Sequence, residues 1–277
     1  MEKPETYIPV IRHFEDIDDL LNFGRDGNLV PGQESKAVLI AQDIYTEAKK
    51  EGKGAVMFIC SNKKRAIQTA DLIVGELRKV DDKLKLRIVA EKNLDAIQQG
   101  KPILPPDYKP GDKFIGFDLA NKIFTKEVFA FDDGNHLYKF GDPVLQDDGS
   151  YKYPELVPYF ESYGESNRDL LLRIYDLIVR IYEKLDKLNS KTEVVVVTHA
   201  QLYQIFRDLN MVANMVKNEE LELVTGELPK LCWNLYSERF KNEKPTYGIN
   251  YISIENLRDP EMIGLLKKEI EHLKNLK

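Results

Sequence analysis

The order of apolar and polar positions along the chain predicts alternating strands and helices. Short runs of consecutive apolar residues predict buried strands, and the four valines at 194–197 are typical of a central parallel strand covered on both faces. Between these runs, apolar residues recur at helical spacing. The predicted strands cover residues 7–11, 55–60, 84–90, 194–197 and 249–254. The predicted helices cover residues 34–50, 64–80, 166–188, 201–215 and 260–276.

This alternation predicts an α/β fold, a three-layer α/β/α sandwich with a mostly parallel central sheet. The length of 277 residues suits a single domain over 1–277. Residues 100–160 depart from the pattern, because they are rich in proline, glycine, aspartate and aromatic residues and show little periodicity. A segment of this kind inside a domain is typical of an inserted cap or lid.

Composition narrows the possible partners and compartments. A formal net charge of −6 argues against nucleic acid or an anionic membrane as partner. The two cysteines, Cys60 and Cys232, provide no disulfide framework, and neither has metal-binding spacing. No apolar stretch approaches the roughly 20 residues of a membrane span, and the start of the chain lacks the order of a signal peptide. The expected location is the cytoplasm.

Four basic side chains are predicted to meet at one edge of the sheet. In an open α/β sheet, ligands bind beyond the carboxyl ends of the parallel strands. Arg12 and His13 follow the first strand, Arg65 lies just past the second, and His199 follows the valine strand. An arginine fork can bind two oxygens of one phosphoryl group. Two imidazoles and two guanidinium groups around one crevice therefore predict a site for a small phosphorylated molecule.

Separate segments of the chain resemble the histidine phosphatase superfamily, in particular its phosphoglycerate-mutase-like branch. Arg12-His13 resembles the Arg-His-Gly that opens that family's site. Residues 60–70 resemble its Ser-Ser-Pro-x-x-Arg-Ala-x-Gln-Thr-Ala segment, and residues 194–199 resemble its apolar strand ending in Ser-His-Gly. Gly164-Glu165-Ser166, which opens a predicted helix, is similar to a further segment of that branch. The order and intervals agree over about residues 6–210.

The resemblance implies an enzyme, a phosphatase that works without a metal or other cofactor. It implies that His13 attacks phosphorus and carries the phosphoryl group as phosphohistidine, while Arg12, Arg65 and His199 bind the phosphoryl oxygens. Water then releases inorganic phosphate as the product. A neutral imidazole suits the nucleophile, since its ordinary pKa of about 6.5 leaves it largely unprotonated at pH 7.

The chain departs from the family pattern at three places. Phe14 replaces a glycine after the first histidine, and we expect it at the mouth of the substrate pocket, where it narrows access or stacks on an aromatic substrate. Ala200 replaces the glycine after the second histidine. Ala96 stands where that branch has a glutamate as general acid. Asp95 and Glu165 are the candidate replacements, although Glu165 also has a structural interpretation beside the predicted helix N-cap Ser166.

Two alternative functions remain open on the sequence alone. The first is a catalytically degenerate member that binds a phosphorylated ligand or partner, which Phe14, Ala96 and Ala200 favour. The second is a phosphoglycerate-type mutase. If the acidic loop 15–19 faces the site, it disfavours this function, because it repels a substrate that carries a carboxylate and two phosphates; the other interpretation of the loop is solvated surface charge. The sequence leaves the natural substrate and the oligomeric state undetermined.

Overall fold

The computed structural model describes residues 7–14, 28–96, 101–103, 105–107, 144–145, 151–152, 160–162, 167–185, 191–218, 220–222, 224–228 and 249–275. Its strands are β1 (Tyr7–Arg12), β2 (Ala55–Cys60), β3 (Lys85–Ala90), β4 (Lys101–Pro102), β5 (Val144–Leu145), β6 (Tyr151–Lys152), β7 (Phe160–Ser162), β8 (Thr192–Thr198) and β9 (Ile249–Ser253). Its helices are α1 (Glu34–Lys50), α2 (Lys64–Val80), α3 (Asn167–Leu185), α4 (Ala200–Lys217), α5 (Ile254–Arg258) and α6 (Pro260–Asn275), with a 3₁₀ turn at Lys92–Leu94.

A five-stranded sheet in the order β3-β2-β8-β1-β9 forms the centre of the protein. The pairs β2–β3, β2–β8 and β1–β8 are parallel, whereas the edge strand β9 runs antiparallel to β1. The predicted α/β fold with a mostly parallel sheet is therefore confirmed. The sheet also places the ends of β1 and β8 side by side, since Arg12 is the register partner of Thr198.

Alternate residues of β8 face two separate hydrophobic cores. Val194 and Val196 pack in a core with the helices α3, α4 and α6. Val195 and Val197 pack on the opposite face, in a core with α1 and α2. All four side chains are buried. Because side chains of a strand alternate between the faces of a sheet, four successive valines satisfy both cores at once, and the predicted three-layer arrangement follows.

The first helix ends where its sequence predicts. Gly52 adopts a left-handed conformation with φ of 68° directly after the helix. Its N–H donates to the carbonyl of Lys49, and the N–H of Lys53 donates to the carbonyl of Ala48. These two bonds form a Schellman motif, which satisfies carbonyls at the end of a helix and favours glycine at this position. The turn leads into β2 and determines where this strand begins. The residues that follow the other end of β2 include Arg65, one of the four predicted site residues.

The predicted cap at 100–160 lies largely outside the described residues. The two ends of the segment meet, because β4 pairs antiparallel with β7 and Lys101 lies opposite Ser162. The chain therefore returns at 160–162 to the point that it left at 101–102. A second short pair, β5 with β6, lies within the segment. That the segment acts as a cap stays a prediction.

Within the described ranges, no helix combines the length and the apolar character needed to cross a membrane.

Candidate active site

Two histidine rings meet at the carboxyl ends of neighbouring parallel strands. His13 follows β1 and His199 follows β8, and the backbone N–H of His13 donates to the carbonyl of Thr198 at 2.8 Å. The ring centroids lie 4.9 Å apart, with the ring planes tilted by 58°. Sheet pairing thus brings together two side chains that are far apart along the chain.

Arg65 joins the two rings. It is the second residue of α2, the helix that follows β2. Its Nε–H donates both to Nε2 of His13 at 3.2 Å and to Nδ1 of His199 at 3.3 Å. Arg12, the fourth predicted member, is the half-buried last residue of β1, and its charge acts on His13. The structure therefore places all four predicted side chains at one edge of the sheet.

The hydrogen bonds fix which nitrogen of His13 carries the proton. Nδ1 lies 2.7 Å from the carbonyl oxygen of Phe14. A carbonyl only accepts, so Nδ1 is the protonated nitrogen and donates to it. Nε2 then carries the lone pair, which accepts from Arg65. His13 is thus a neutral imidazole whose unprotonated Nε2 points to the guanidinium group.

His199 has the opposite tautomer. Its Nε2 lies 2.8 Å from Oγ of Ser61, and that hydroxyl donates its own proton to Oδ1 of Asp95 at 2.7 Å. The hydroxyl oxygen is therefore the acceptor, and Nε2 of His199 is the donor. The lone pair of His199 lies on Nδ1 and accepts from Arg65. Both rings direct an unprotonated nitrogen to the same guanidinium group.

Burial keeps both imidazoles neutral. The pKa of His13 falls from 6.5 to about 3, mainly because burial penalises the charged ring, and the charges of Arg65 and Arg12 add to the effect. The hydrogen bond to Phe14 opposes this shift. The pKa of His199 is also well below its ordinary value, because of burial and then the neighbouring His13, Arg65, Lys63 and Arg173. Both rings are thus neutral at physiological pH.

The depressed pKa of His13 predicts a loss of stability in acid. Below pH of about 6.5 the unfolded chain binds a proton at this residue, whereas the folded protein does so only near pH 3. The free energy of unfolding should therefore fall as the pH drops through this window, by about 1.4 kcal/mol per pH unit and about 5 kcal/mol in total from this one group. Urea unfolding of the wild type and of His13→Gln between pH 7 and pH 4 measures the effect. We expect a shallower pH dependence in the variant; equal slopes would contradict the assignment.

Thr69 connects the backbone next to His13 with that of Arg65. Its Oγ1 accepts from the backbone N–H of Phe14 at 2.9 Å and donates to the carbonyl of Arg65 at 2.8 Å. One hydroxyl therefore holds the backbone of Phe14, the residue whose carbonyl orients His13. Thr69 lies four residues after Arg65 on α2, so both groups face the site from one side of the helix.

Phe14 does not occupy the position expected from the sequence. Its side chain is 2% exposed and packs in the core between the sheet and α1, with Ala37, Ala41 and Ile44 among its cluster. The side chain therefore does not lie at the mouth of a substrate pocket. Residue 14 turns its ring into the core, while its backbone carbonyl and N–H make hydrogen bonds to His13 and Thr69. The expectation failed because sequence position alone does not show which way a side chain leaves a loop.

Asp95 lies near the site but makes contacts that do not suit a general acid. Its Oδ1 accepts two hydrogen bonds, from Oγ of Ser61 at 2.7 Å and from the backbone N–H of Asn62 at 2.6 Å. Oδ1 is therefore occupied as an acceptor on the side of β2 and His199, and none of these contacts directs a proton to a leaving group. The structure thus connects Asp95 to His199 through Ser61. Glu165, the other candidate, lies outside the described residues.

Three residues that support the site were not predicted from the sequence. Ser61 bridges His199 and Asp95, and Thr69 bridges Phe14 and Arg65. Arg173 on α3 donates to the backbone carbonyls of Asn93 and Asp95, the latter at 2.8 Å, and so holds the turn after β3. Ser61 and Thr69 lie in the segment that resembles the phosphatase family, which was the available signal for them. Each acts by hydrogen bonds that only the folded chain reveals.

The site is closed around its arginine. His13 is 4% exposed and His199 1% exposed, and Arg65 is buried as well. The Nε of Arg65 lies between the two rings and donates to one nitrogen of each. Within the described residues, no cluster of three or more histidine, cysteine, aspartate or glutamate side chains is arranged to hold a metal ion.

The fold and the site together define an α/β sandwich with a histidine–arginine–histidine cluster at the carboxyl ends of its parallel strands. No protein-family model and no curated protein matches the sequence. Among solved structures, a mycobacterial glucosyl-3-phosphoglycerate phosphatase is similar at 15% identity and a TM-score of 0.42, with 81% of this chain and 83% of that chain covered.

Two other solved structures are similar over more of the chain. A phosphoserine phosphatase from Entamoeba histolytica, in complex with 3-phosphoglyceric acid, matches at 16% identity and a TM-score of 0.39, with 91% of this chain and 98% of that chain covered. An open reading frame product from Mycobacterium tuberculosis matches at 15% identity and a TM-score of 0.43, with 90% and 91% covered. At such TM-scores these similarities assign neither an activity nor a substrate to this chain.

Proposed function

We propose that this protein is a metal-independent phosphatase of the histidine phosphatase type. It hydrolyses a small phosphomonoester through a phosphohistidine formed on Nε2 of His13. One observation carries the proposal: Nδ1 of His13 is fixed as a donor to Phe14, so the lone pair of Nε2 faces the Arg65 guanidinium beside the second ring. A neutral nucleophile next to a fixed cation is the arrangement that phosphoryl transfer requires.

In the first half of the reaction, Nε2 of His13 attacks phosphorus. The bond from phosphorus to the ester oxygen breaks, and the oxygen leaves with the electron pair as an alkoxide or aryl oxide, which takes a proton from water. Charge spreads over the equatorial phosphoryl oxygens in this transition state, and the planar forks of Arg12 and Arg65 bind those oxygens. Since Nε of Arg65 now contacts both rings, the guanidinium group must turn its donors from the ring nitrogens to the phosphoryl group when the substrate binds.

In the second half, water attacks the phosphorus of phosphohistidine. The bond from phosphorus to Nε2 breaks, and inorganic phosphate leaves with a proton from the water transferred to a base. His13 returns to its starting tautomer, because the carbonyl of Phe14 holds the proton on Nδ1 throughout. No group outside the chain other than water is needed for this cycle.

The closed state of the site favours one second candidate, a protein that binds a phosphorylated ligand or partner without turnover. The lone pairs of both rings are occupied by Arg65, and the two rings are almost fully buried. If Arg65 does not leave the rings, neither histidine can attack. A phosphorylated molecule would then be bound by the surrounding cations alone.

Trapping the phosphoenzyme separates these functions. The protein is mixed with p-nitrophenyl phosphate and quenched in base, where phosphohistidine survives, and the peptides are analysed by mass spectrometry. We expect acid-labile phosphate on His13 and release of inorganic phosphate, with the same result for the control variant His272→Ala on α6. Ligand binding without phosphoenzyme or released phosphate would favour the binding protein. A mutase would instead be indicated by transfer of the phosphoryl group between the hydroxyls of 3-phosphoglycerate, tested as a second substrate because p-nitrophenyl phosphate has no acceptor hydroxyl.

The leaving group should decide how fast the first step runs. Ala96 stands at the position of the expected general acid, and the carboxylate of Asp95 is held by two donors. Loss of a positioned acid costs about 10²–10⁴-fold when an alkoxide must be protonated, whereas an aryl oxide leaves without a proton. We therefore expect much faster turnover of p-nitrophenyl phosphate than of glycerol phosphate, measured as kcat/KM for each. Equal and fast turnover of both would show that another acid is in place.

A further inference from the structure

A chain of three side chains leads away from the site on the side opposite to Arg65. Nε2 of His199 donates to Oγ of Ser61 at 2.8 Å, and that hydroxyl donates to Oδ1 of Asp95 at 2.7 Å. His199 and Ser61 are buried, with exposed fractions of 1% and 0%. The carboxylate of Asp95 is thus connected to the buried, neutral ring of His199 through the hydroxyl of Ser61. The other ring nitrogen of His199, Nδ1, accepts from Arg65, which also donates to His13.

Backbone contacts hold both ends of this chain in place. Oδ1 of Asp95 also accepts from the N–H of Asn62, and Oγ of Ser61 also accepts from the N–H of Lys63 at 3.1 Å. Arg173 donates to the carbonyl of Asp95 at 2.8 Å, and Oγ1 of Thr198, the residue before His199, donates to the carbonyl of Leu94 at 2.9 Å. The turn after β3, the end of β2 and the end of β8 are therefore connected around the hydroxyl of Ser61.

We propose that His199 is the general base of the hydrolytic half of the reaction, and that Ser61 and Asp95 are positioning residues that hold it in the tautomer this role requires. The inference rests on the proposed phosphatase function and goes beyond it. Because Nε2 keeps its proton for Ser61, the lone pair of Nδ1 is the basic nitrogen on the phosphoryl side. A general base must direct a lone pair at the attacking water, whereas a residue that only binds phosphate must direct a proton at a phosphoryl oxygen.

The proton balance of the step follows from this tautomer. Water attacks the phosphorus on Nε2 of His13, the phosphorus–nitrogen bond breaks, and its electron pair returns to Nε2. Nδ1 of His199 takes the proton that the water loses, so His199 becomes an imidazolium. The positive ring is then stabilised by Asp95 through Ser61, as a buried carboxylate stabilises the imidazolium of a serine hydrolase. The proton passes to solvent when phosphate leaves.

The surroundings of His199 disfavour its protonated form, which the proposed step requires. Burial disfavours the charged ring, and Arg65 and Lys63 from α2, Arg173 from α3 and His13 after β1 all lower the pKa of His199. Its proton affinity during hydrolysis therefore depends on the incoming phosphoryl charge and on Asp95. Removing the charge of Asp95 should lower the pKa of His199 further. In a plot of the rate of phosphoenzyme hydrolysis against pH, the acidic limb should therefore move to lower pH.

Rapid-quench kinetics with p-nitrophenyl phosphate test the assignment, because the two half-reactions are then observed separately. The burst of p-nitrophenol reports phosphorylation, and the decay of phosphoenzyme reports hydrolysis. In His199→Gln, which keeps a donor but cannot take up a proton, we expect hydrolysis to fall by about 10²–10⁴-fold. In Ser61→Ala and Asp95→Asn we expect falls of about 10- to 100-fold. Phosphorylation should fall far less in each variant, so that phosphoenzyme accumulates.

Asp95→Asn is the most informative variant, since asparagine keeps an acceptor oxygen for Ser61 and Asn62 but lacks the charge. Asp82→Asn, on the exposed turn after α2, is the matched control and should leave both steps unchanged. Nitrogen NMR of the imidazole provides a readout that needs no turnover: His199 should be the Nε2–H tautomer in the wild type and a mixture of tautomers in Ser61→Ala.

Each outcome supports or overturns a specific claim. Equal losses in the burst and in the decay would overturn the base assignment, because they indicate a general structural defect. Unchanged decay in all three variants would also overturn it, while the wild-type phosphoenzyme would still support the phosphatase. If the wild type forms no phosphoenzyme, the proposed function fails, and the base assignment fails with it. An Nδ1–H tautomer in the wild type would refute the role of Ser61 and Asp95 even if hydrolysis occurs.

Discussion

His13→Asn should abolish the phosphoenzyme and lower kcat for p-nitrophenyl phosphate by about 10⁴–10⁶-fold. Loss of a nucleophile removes the covalent route entirely, and what remains is catalysis by the groups that bind the phosphoryl oxygens. Asparagine is the sharpest replacement, because its amide can still donate to the carbonyl of Phe14, which accepts from Nδ1 of His13 at 2.7 Å. The fold and the loop should therefore persist. Steady-state release of p-nitrophenol measures the loss.

The matched control is His272→Asn, the same substitution on α6 away from the sheet ends. It should keep both the phosphoenzyme and kcat. Circular dichroism and Tm of the two variants show whether the fold is retained. If folded His13→Asn keeps phosphoenzyme at another residue, or more than about a tenth of the activity, then His13 is not the nucleophile.

Arg65→Lys should lower kcat/KM by about 10²–10³-fold although the positive charge is kept. Nε of Arg65 donates to both rings now, and in the proposed transition state its planar fork binds two phosphoryl oxygens at once. Lysine presents a point charge on a flexible stem and cannot reproduce that geometry. The measurement is kcat/KM for p-nitrophenyl phosphate. A loss smaller than about 10-fold would mean that charge alone is sufficient at this position.

Arg65→Gln separates charge from geometry through the pH profile. The charge of Arg65 is one of the causes that lower the pKa of His13 to about 3. Its removal should raise that pKa, so the neutral nucleophile is lost at a higher pH than in the wild type. The acidic limb of kcat/KM, which reports groups of the free enzyme, should move to higher pH in Arg65→Gln and stay in place in Arg65→Lys. If the acidic limb of kcat/KM lies at the same pH in both variants, the charge of Arg65 does not lower the pKa of His13.

Local patterns explain why most of the fold was predictable. The helices predicted at 34–50 and 64–80 agree with α1 and α2 at both ends, since apolar spacing and the adjoining turns lie within each segment. The helix predicted at 166–188 is described over Asn167–Leu185. The antiparallel direction of β9 was not predicted, because strand direction depends on how a distant segment returns to the sheet.

The site was predictable only in part, because part of it also depends on contacts between segments that are distant in sequence. Arg12, His13, Arg65 and His199 could be placed near one another, since each follows a predicted strand and such ends meet at one edge of a sheet. The positions of Phe14 and Asp95 were not predictable. The ring of Phe14 turns into the core, and the carboxylate of Asp95 faces the end of β2. Both depend on packing between segments that are distant in sequence.

The amino-acid order alone determined that this chain forms an α/β sandwich and which side chains gather at one edge of its sheet, because periodicity and strand ends are properties of short segments. Only the tertiary structure decided how those side chains are protonated and oriented. The tautomers of the two rings follow from a carbonyl at Phe14 and a hydroxyl at Ser61, and both are fixed by hydrogen bonds to other strands and helices. Hydrogen bonds require positions accurate to a fraction of an ångström, and such accuracy arises only when the layers pack.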